Sequence, residues 1–388
     1  MYSNFINHHQ LPLAQEFNAL PEVEYIFVAT TPFDTQRAEM GYIDENKRYD
    51  FIIRPYENQK QNYIAHQLAI DADIVIVGSA PDSYMAERLN SGKITFHTSE
   101  RYFKKGLSIK TFPRYFASAM KHIRPYQNKP LYYLCASAYT AYDINTFACF
   151  QERCFKWGYF TEVHELDDSI LMKKREGKDK PIILWAGRFL ELKHPDVVVR
   201  LADRLKREGY YFQMQIIGGG EMEEKLKEAV NSLDLNDEIN FLGFLPPEMV
   251  RKHMESADIF LFTSDFNEGW GAVLSEAMSS GCAVVSSHAA GAAPYLIEDG
   301  KNGFLYENGN EEDLYSKVTQ LLNNQNCRIK MGKTAYRDMR EIWSPKEAAS
   351  RLLLLSEAIN SGKARSLFTS GPCSPAEILK NDWYKSLR

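Results

Sequence analysis

The chain has 388 residues, of which 44% are hydrophobic and 25% charged, with a formal net charge of -5. That length suits two domains, each with its own core, and the acidic balance argues against wholesale nucleic-acid binding. No run of about 18 apolar residues occurs, so no bilayer-spanning helix is expected. The N-terminus, MYSNFINHHQ, lacks a basic start followed by an apolar core, so no signal peptide is expected either.

In the first half, apolar runs at 27–29, 51–53, 74–77, 94–96 and 131–135 alternate with segments long enough for crossover helices. That spacing predicts a parallel sheet. Glu165, Leu166, Asp167 and Asp168, followed by the charged run MKKREGKDKP ending at Pro181, mark a linker. The rhythm then repeats at 182–185, 212–217, 239–242, 259–262 and 283–285, so the expected fold is α/β with two doubly wound domains. Ser344, Pro345 and Glu347 form a helix-start pattern, with a hydroxyl cap, proline at the first helical position and an acid three residues after the serine. A last helix through 348–359 should follow. Six cysteines (Cys135, Cys149, Cys154, Cys282, Cys327 and Cys373) have neither a CxxC pair nor metal-ligand spacing and are expected as thiols in a reducing cytosol.

Residues 259–288 hold the densest signal. An apolar run stops at Thr263, Ser264 and Asp265, a polar loop ends in Glu268, Gly269, Trp270 and Gly271, and a helical pattern and a second apolar run follow. The glycines let backbone N–H groups approach an anion, and the helix N-terminus behind them favours phosphate. Glu268 and Glu276 have seven residues between them, a little over two helical turns, so they lie on roughly one face at different depths.

This stretch, GWGAVLSEAMSSGCAVV bracketed by the two acids, resembles the E-x7-E signature of retaining nucleotide-sugar glycosyltransferases of the GT-B fold, in the large family four. The resemblance implies that Glu268 meets the donor sugar, Glu276 binds ribose hydroxyls, and the amides of Gly269, Trp270, Gly271 and Ala272 hold the diphosphate. Gly187, Arg188 and Lys193 are similar to the family's G-R-x(4)-K pattern, whose cations clamp the diphosphate. Gly218 and Gly219 match the turn beside it, and Gly243, Phe244 and Leu245 match the segment lining the nucleobase. The G-x-G-x-x-G spacing of a dinucleotide fingerprint is missing, so no nicotinamide cofactor is expected. Where the family commonly has a glycine-rich loop with Pro-Glu, this chain has Gly291, Ala292, Ala293, Pro294 and Tyr295, and Trp270 replaces the usual phenylalanine. Similarity is strongest over 181–320.

The same resemblance implies an acceptor-binding domain formed by 1–168 plus 345–388, whose last helix crosses back to it, and a donor-binding domain at 169–344, with a central cleft between them. His97, in the run after Ile94, is similar to the family's histidine that reaches the donor sugar. His8 and His9 follow the first strand and are acceptor or cleft candidates, since loops at strand C-termini carry function in open α/β sheets. Asp71 and Asp73 have the spacing of a metal-binding D-x-D but precede an apolar run, and they read as a polar turn. No metal site is expected. Residues 101–129 carry eight lysines and arginines and no acid, interleaved with aromatics, which suits peripheral contact with an anionic membrane or a lipid-diphosphate acceptor.

The expectation is therefore a metal-independent, retaining glycosyltransferase of the hexosyltransferase class, cytoplasmic and at the inner face of the membrane. It takes a UDP- or GDP-sugar donor, uses no cofactor, and acts on a glycan or lipid-linked acceptor in glycan or surface-polysaccharide synthesis. Two alternatives share the pocket: a nucleotide-sugar epimerase of the same fold, and a non-catalytic nucleotide-sugar-binding protein.

Overall fold

The computed structural model describes residues 1–34, 43–165, 167 and 180–387. Most of the expected linker lies outside them. The chain divides into two compact units, Met1–Glu162 with Trp343–Lys380, and Val163–Ile342 with Asn381–Arg388.

The first unit holds a seven-stranded, all-parallel sheet. Its strands are β1 (Tyr2–Ser3), β2 (Phe27–Ala29), β3 (Ile52–Ile53), β4 (Ile76–Val77), β5 (Thr95–Ser99), β6 (Leu131–Cys135) and β7 (Cys154–Lys156), in the order β3-β2-β1-β4-β5-β6-β7. Short runs such as Phe27, Val28 and Ala29 are buried throughout, because crossover helices cover both faces of a parallel sheet. Order reverses at β1, which pairs with both β2 and β4 through Tyr2.

The second unit repeats the plan with six strands: β8 (Ile182–Ala186), β9 (Gln213–Ile217), β10 (Ile239–Gly243), β11 (Ile259–Phe262), β12 (Ala283–Ser287) and β13 (Phe304–Tyr306), ordered β10-β9-β8-β11-β12-β13. Here order reverses between β8 and β11, which pair through Ile183 and Ile259. The two sheets are thus both doubly wound, as expected from the repeated rhythm. The short strands β7 and β13, three residues each, are additions to that expectation.

The Ser344 hydroxyl accepts from the Glu347 N–H at 3.2 Å, capping the helix Pro345–Asn360. That helix packs on Leu11–Ala19 within the first unit. The chain then runs antiparallel to β7, with Lys156 N–H donating to the Ser374 carbonyl at 2.7 Å and Ala376 N–H to the Cys154 carbonyl at 2.9 Å. A sheet edge that would otherwise invite pairing with another chain is covered in this way.

The units depart from the expected boundaries: the first unit ends at Glu162 rather than at 168 and resumes at Trp343 rather than at 345, and 381–388, expected in the first domain, belongs to the second unit. Tyr384 is buried there, its hydroxyl donates to the Leu305 carbonyl at 2.7 Å, and its ring stacks on His288 with centroids 4.9 Å apart. Burying a tyrosine with its hydroxyl satisfied is enough to hold a short tail that has no periodicity of its own.

Candidate functional site

In an open α/β sheet, ligands bind beyond the carboxyl ends of the strands where the strand order reverses. In the second unit that point lies after β8 and β11, and the segments singled out in the sequence follow β8, β9, β10 and β11 in turn.

These loops are tied to one another by backbone. Gly187 N–H donates to the Ile217 carbonyl at 3.0 Å, Gly218 N–H to Gly243 at 2.8 Å, and Phe189 N–H to Gly219 at 2.9 Å. Side chains complete the frame between the loops after β8 and β11. The buried Trp185 indole donates to the Thr263 hydroxyl at 2.9 Å, and that hydroxyl donates to the Lys193 carbonyl at 2.5 Å. Asp265 N–H donates to the Leu192 carbonyl at 2.9 Å. The Asp265 carboxylate lies 3.2 Å from His194 Nε2 and also accepts the Asn267 N–H at 2.8 Å. The hydrogen bond from Asp265 raises the His194 pKa above the ordinary imidazole value. His194 itself adopts a left-handed backbone with φ of 48°, an uncommon state for a residue with a side chain. Sequence reasoning missed Trp185, His194, Thr263 and Asp265, because their role is set by partners on a loop about 70 residues away.

Inside this frame the structure brings together the expected cation and acid. The Lys193 ammonium contacts the Glu268 carboxylate directly and lies 5.6 Å from the centre of the Phe262 ring. Arg188 is exposed and has no ion-pair partner among the described residues, so its charge remains available to a ligand.

At Gly271 and Gly218 a side chain does not fit. Gly271 has φ of 89°, and a Cβ there would come within 2.5 Å of the Phe262 ring. Gly218 has φ of 124°, and a Cβ would meet the Gly187 carbonyl oxygen. The helix Ala272–Ser279 starts at Gly271 with no side-chain cap; the Leu274 N–H closes on the Gly271 carbonyl at 2.9 Å, and the amides before it are the ones an anion can meet. The Trp270 ring is turned inward: it is buried, and its indole donates to the Ser275 hydroxyl at 3.1 Å.

Glu276 lies one turn into that helix and is half-buried. Burial pushes its carboxyl up to about 7, against a weaker opposite pull from Arg251. Arg251 is held by the Ser279 hydroxyl at 2.8 Å. Gly243, the last residue of β10, is left-handed; after it Leu245 is half-buried, and Phe244 leaves 65% of its surface exposed with its ring beside Gly219.

In the first unit, His97 lies within β5, which continues two residues past it. Burial lowers its pKa to about 4, so the imidazole is neutral at pH 7. His8 and His9 follow β1, with ring centroids 3.7 Å apart, and His9 stacks on Tyr159 at 6.3 Å. His97 lines a cavity of about 560 Å³ at the carboxyl ends of β1, β4, β5 and β6. The Asp71–Asp73 turn is organised by Arg88, whose guanidinium donates to the carbonyls of Ala72 at 2.6 Å and Asp73 at 2.8 Å.

Comparison with known proteins adds the following. Residues 167–338 match the family model for glycosyl transferases group 1. The amylovoran biosynthesis glycosyltransferase AmsK of Erwinia amylovora is 35% identical over 156 residues, covering 39% of this chain and 38% of that protein. The putative colanic acid biosynthesis glycosyltransferase WcaL of Salmonella typhimurium is 32% identical over 143 residues, 36% of this chain and 35% of that one. The chain thus spans well under half the length of these relatives. Among solved structures, Anabaena HepE in complex with UDP superposes with a TM-score of 0.67 at 14% identity, over 93% of this chain and 99% of that one. The fold is that of the GT-B glycosyltransferase structures.

Proposed function

We propose that this chain, whose residues 167–338 carry the group 1 glycosyl transferase model, is a retaining, metal-independent glycosyltransferase of the hexosyltransferase class. It moves a sugar from a nucleoside-diphosphate sugar to an acceptor hydroxyl in the assembly of a glycan or surface polysaccharide. The observation that carries the reading is the Lys193–Glu268 contact beside the glycine-opened helix start at Gly271, where the second sheet reverses order, with Arg188, exposed and unpaired among the described residues, on the same loop after β8 as Lys193. AmsK and WcaL are named for amylovoran and colanic acid biosynthesis, and HepE was solved with UDP, which supports the same direction.

The bond between the anomeric carbon and the diphosphate oxygen breaks, and the acceptor oxygen bonds the same face of that carbon. The acceptor proton passes to the departing phosphate oxygen. Negative charge grows on the diphosphate as the bond breaks, and Arg188, Lys193 and the amides near Gly271 stabilise it without reorganising. Glu268 orients the sugar and steers Lys193, and Glu276 accepts the ribose hydroxyls. The exposed Phe244 ring offers a face to the base. Gly187, Gly219, Gly269 and Leu245 shape the walls. His97 lines the cavity of the first unit and on that ground serves the acceptor side together with His8 and His9, in place of the donor-sugar contact that the resemblance implies.

A thermal-shift screen of UDP, GDP and their common sugars tests donor binding, because a true donor raises the melting point by mass action. Glu268→Ala should lose turnover while keeping nucleotide affinity. Equal and small effects of Glu268→Ala and Glu276→Ala would refute these roles.

We also propose a cytoplasmic location with peripheral contact to an anionic leaflet. No helix among the described residues is long and apolar enough to cross a membrane. Exposed Leu107, Ile109, Phe112 and Phe116 lie among cations on and before the helix Phe112–His122, and Ile109 exposes 94% of its surface. Apolar side chains ringed by lysine and arginine suit the headgroup boundary. Ile109→Asp with Phe116→Asp should abolish sedimentation with phosphatidylglycerol vesicles, and unchanged sedimentation would remove the idea.

A further inference from the structure

The cavity of the first unit carries a charge imbalance that its fold does not require. Its floor is the strand-order reversal at β1 and β4, and Ser3, Gly78, His97 and Ala136 lie on or just past the carboxyl ends of four parallel strands. Four cations line it, and two of them are matched. Arg101 pairs with the buried Asp143 at 3.3 Å, and Lys104 pairs with Glu100 at 2.7 Å.

Lys105 and Arg114 also line the cavity, both exposed, and neither has an ion-pair partner among the described residues. Arg114 adds a second oddity. It sits in the first turn of the helix Phe112–His122, which has no acidic residue in that turn and no side-chain cap. A cation there opposes the positive end of the helix dipole. A bound anion would relieve the dipole conflict and the excess charge together. The Tyr115 hydroxyl, which accepts the Lys105 N–H at 3.2 Å, ties the two cationic segments to each other.

The uncharged part of the wall asks for something different. His97 Nδ1 and Gln10 Oε1 are buried polar atoms without hydrogen-bond partners among the described residues. Leaving such groups unsatisfied is destabilising, and each can be met by a ligand hydroxyl. With burial keeping the imidazole neutral, His97 either accepts from or donates to a hydroxyl through Nδ1.

We propose that this cavity binds a phosphate-bearing polyol or sugar as the acceptor, its phosphate held by Lys105 and Arg114 and its hydroxyls by Gln10 and His97. The proposal rests on the transferase reading for the word acceptor, while the binding site itself does not. The phosphate could be free in solution or be a lipid headgroup, since both present the same oxygens.

The test uses the full chain and the double variant Lys105→Gln, Arg114→Gln. Both positions are exposed and unpaired among the described residues, so folding should be unaffected, and the melting temperature checks this. UDP is titrated first. A failure to bind it would count against the transferase reading and leave this site standing. Glycerol 1-phosphate is then titrated by calorimetry with UDP in excess, so that the cations of the second unit are occupied. In parallel, sedimentation is measured with phosphatidylcholine vesicles carrying phosphatidylglycerol. Loss of at least about tenfold in affinity in either arm for the variant, as expected for removing charge-assisted hydrogen bonds, supports the site, and the responding arm identifies the source. Identical behaviour of variant and parent in both arms would overturn it. Inorganic phosphate binding as tightly as glycerol 1-phosphate would overturn the polyol half.

Discussion

The half-buried carboxyl of Glu276 offers the sharpest test of the donor site, because its effect on stability and its effect on ligand binding have opposite dependence on pH. Its pKa of about 7 exceeds the ordinary 4.5 because burial penalises the carboxylate. At about 1.36 kcal/mol per pH unit, the gap between 4.5 and 7 corresponds to at most roughly 3.5 kcal/mol. The sign follows from proton counting. Below pH 4.5 the group is protonated in folded and unfolded chains alike. As pH rises toward 7 the unfolded chain releases the proton first, so the folded state loses stability, and above 7 the loss is complete. Glu276→Gln removes this titration. Its melting temperature should therefore exceed the parent's at pH 8 by several degrees, on the scale of about 2–4 °C per kcal/mol for a unit of this size. The difference should vanish near pH 4.5. In the same samples UDP should bind the parent more weakly as pH falls below about 7, because ribose hydroxyls donate to the ionised form, and the variant's affinity should be weaker and flat. A pH-independent difference in melting temperature would refute the burial argument. A parent UDP affinity that does not change between pH 5 and 8 would refute the ribose contact.

Other perturbations separate charge, backbone and framework. Arg188→Gln should lower turnover by about a hundredfold or more, on the scale of removing one preorganised stabiliser of transition-state charge. Its melting temperature should stay within a degree or two, since Arg188 is exposed and unpaired among the described residues; kinetics beside a thermal melt decides. Gly271→Ala should destabilise the second unit by roughly 2–4 kcal/mol, combining a left-handed backbone with overpacking against Phe262, read as a lower urea midpoint. His194→Ala should remove a contribution that is full below about pH 6.5 and fades as pH rises through the elevated folded value, because Asp265 raises the His194 pKa. Melting curves of parent and variant from pH 5.5 to 8.5 measure it, and parallel curves would exclude the pairing.

Much of the fold was legible because parallel strands buried on both faces read as short apolar runs. The runs at 27–29, 131–135 and 259–262 coincide with β2, β6 and β11. β7 and β13 escaped because three residues at a sheet margin give no period, and the tail at Tyr384 escaped because its anchor is a single ring and hydroxyl on another segment. At the site, glycines and charged residues at fixed spacing were readable since they act through backbone shape and charge, which are local. Phe244 is legible in the sequence only as part of the segment matched to the nucleobase wall, and the structure reveals an exposed ring beside Gly219. Trp270 was read among donor residues, and its ring turned inward because Ser275 satisfies the indole.

Sequence alone determined the two α/β repeats, the position of the last helix's cap and the candidate residues after each strand, because periodicity, capping and glycine permissiveness are carried by near neighbours. Only the tertiary structure decided which of those residues meet. The Lys193–Glu268 contact, the His194–Asp265 strut, the raised Glu276 pKa and the unmatched Lys105 and Arg114 each depend on burial or on a partner distant in the chain. Electrostatic partnership and desolvation arise between segments that share space, and no local pattern encodes them.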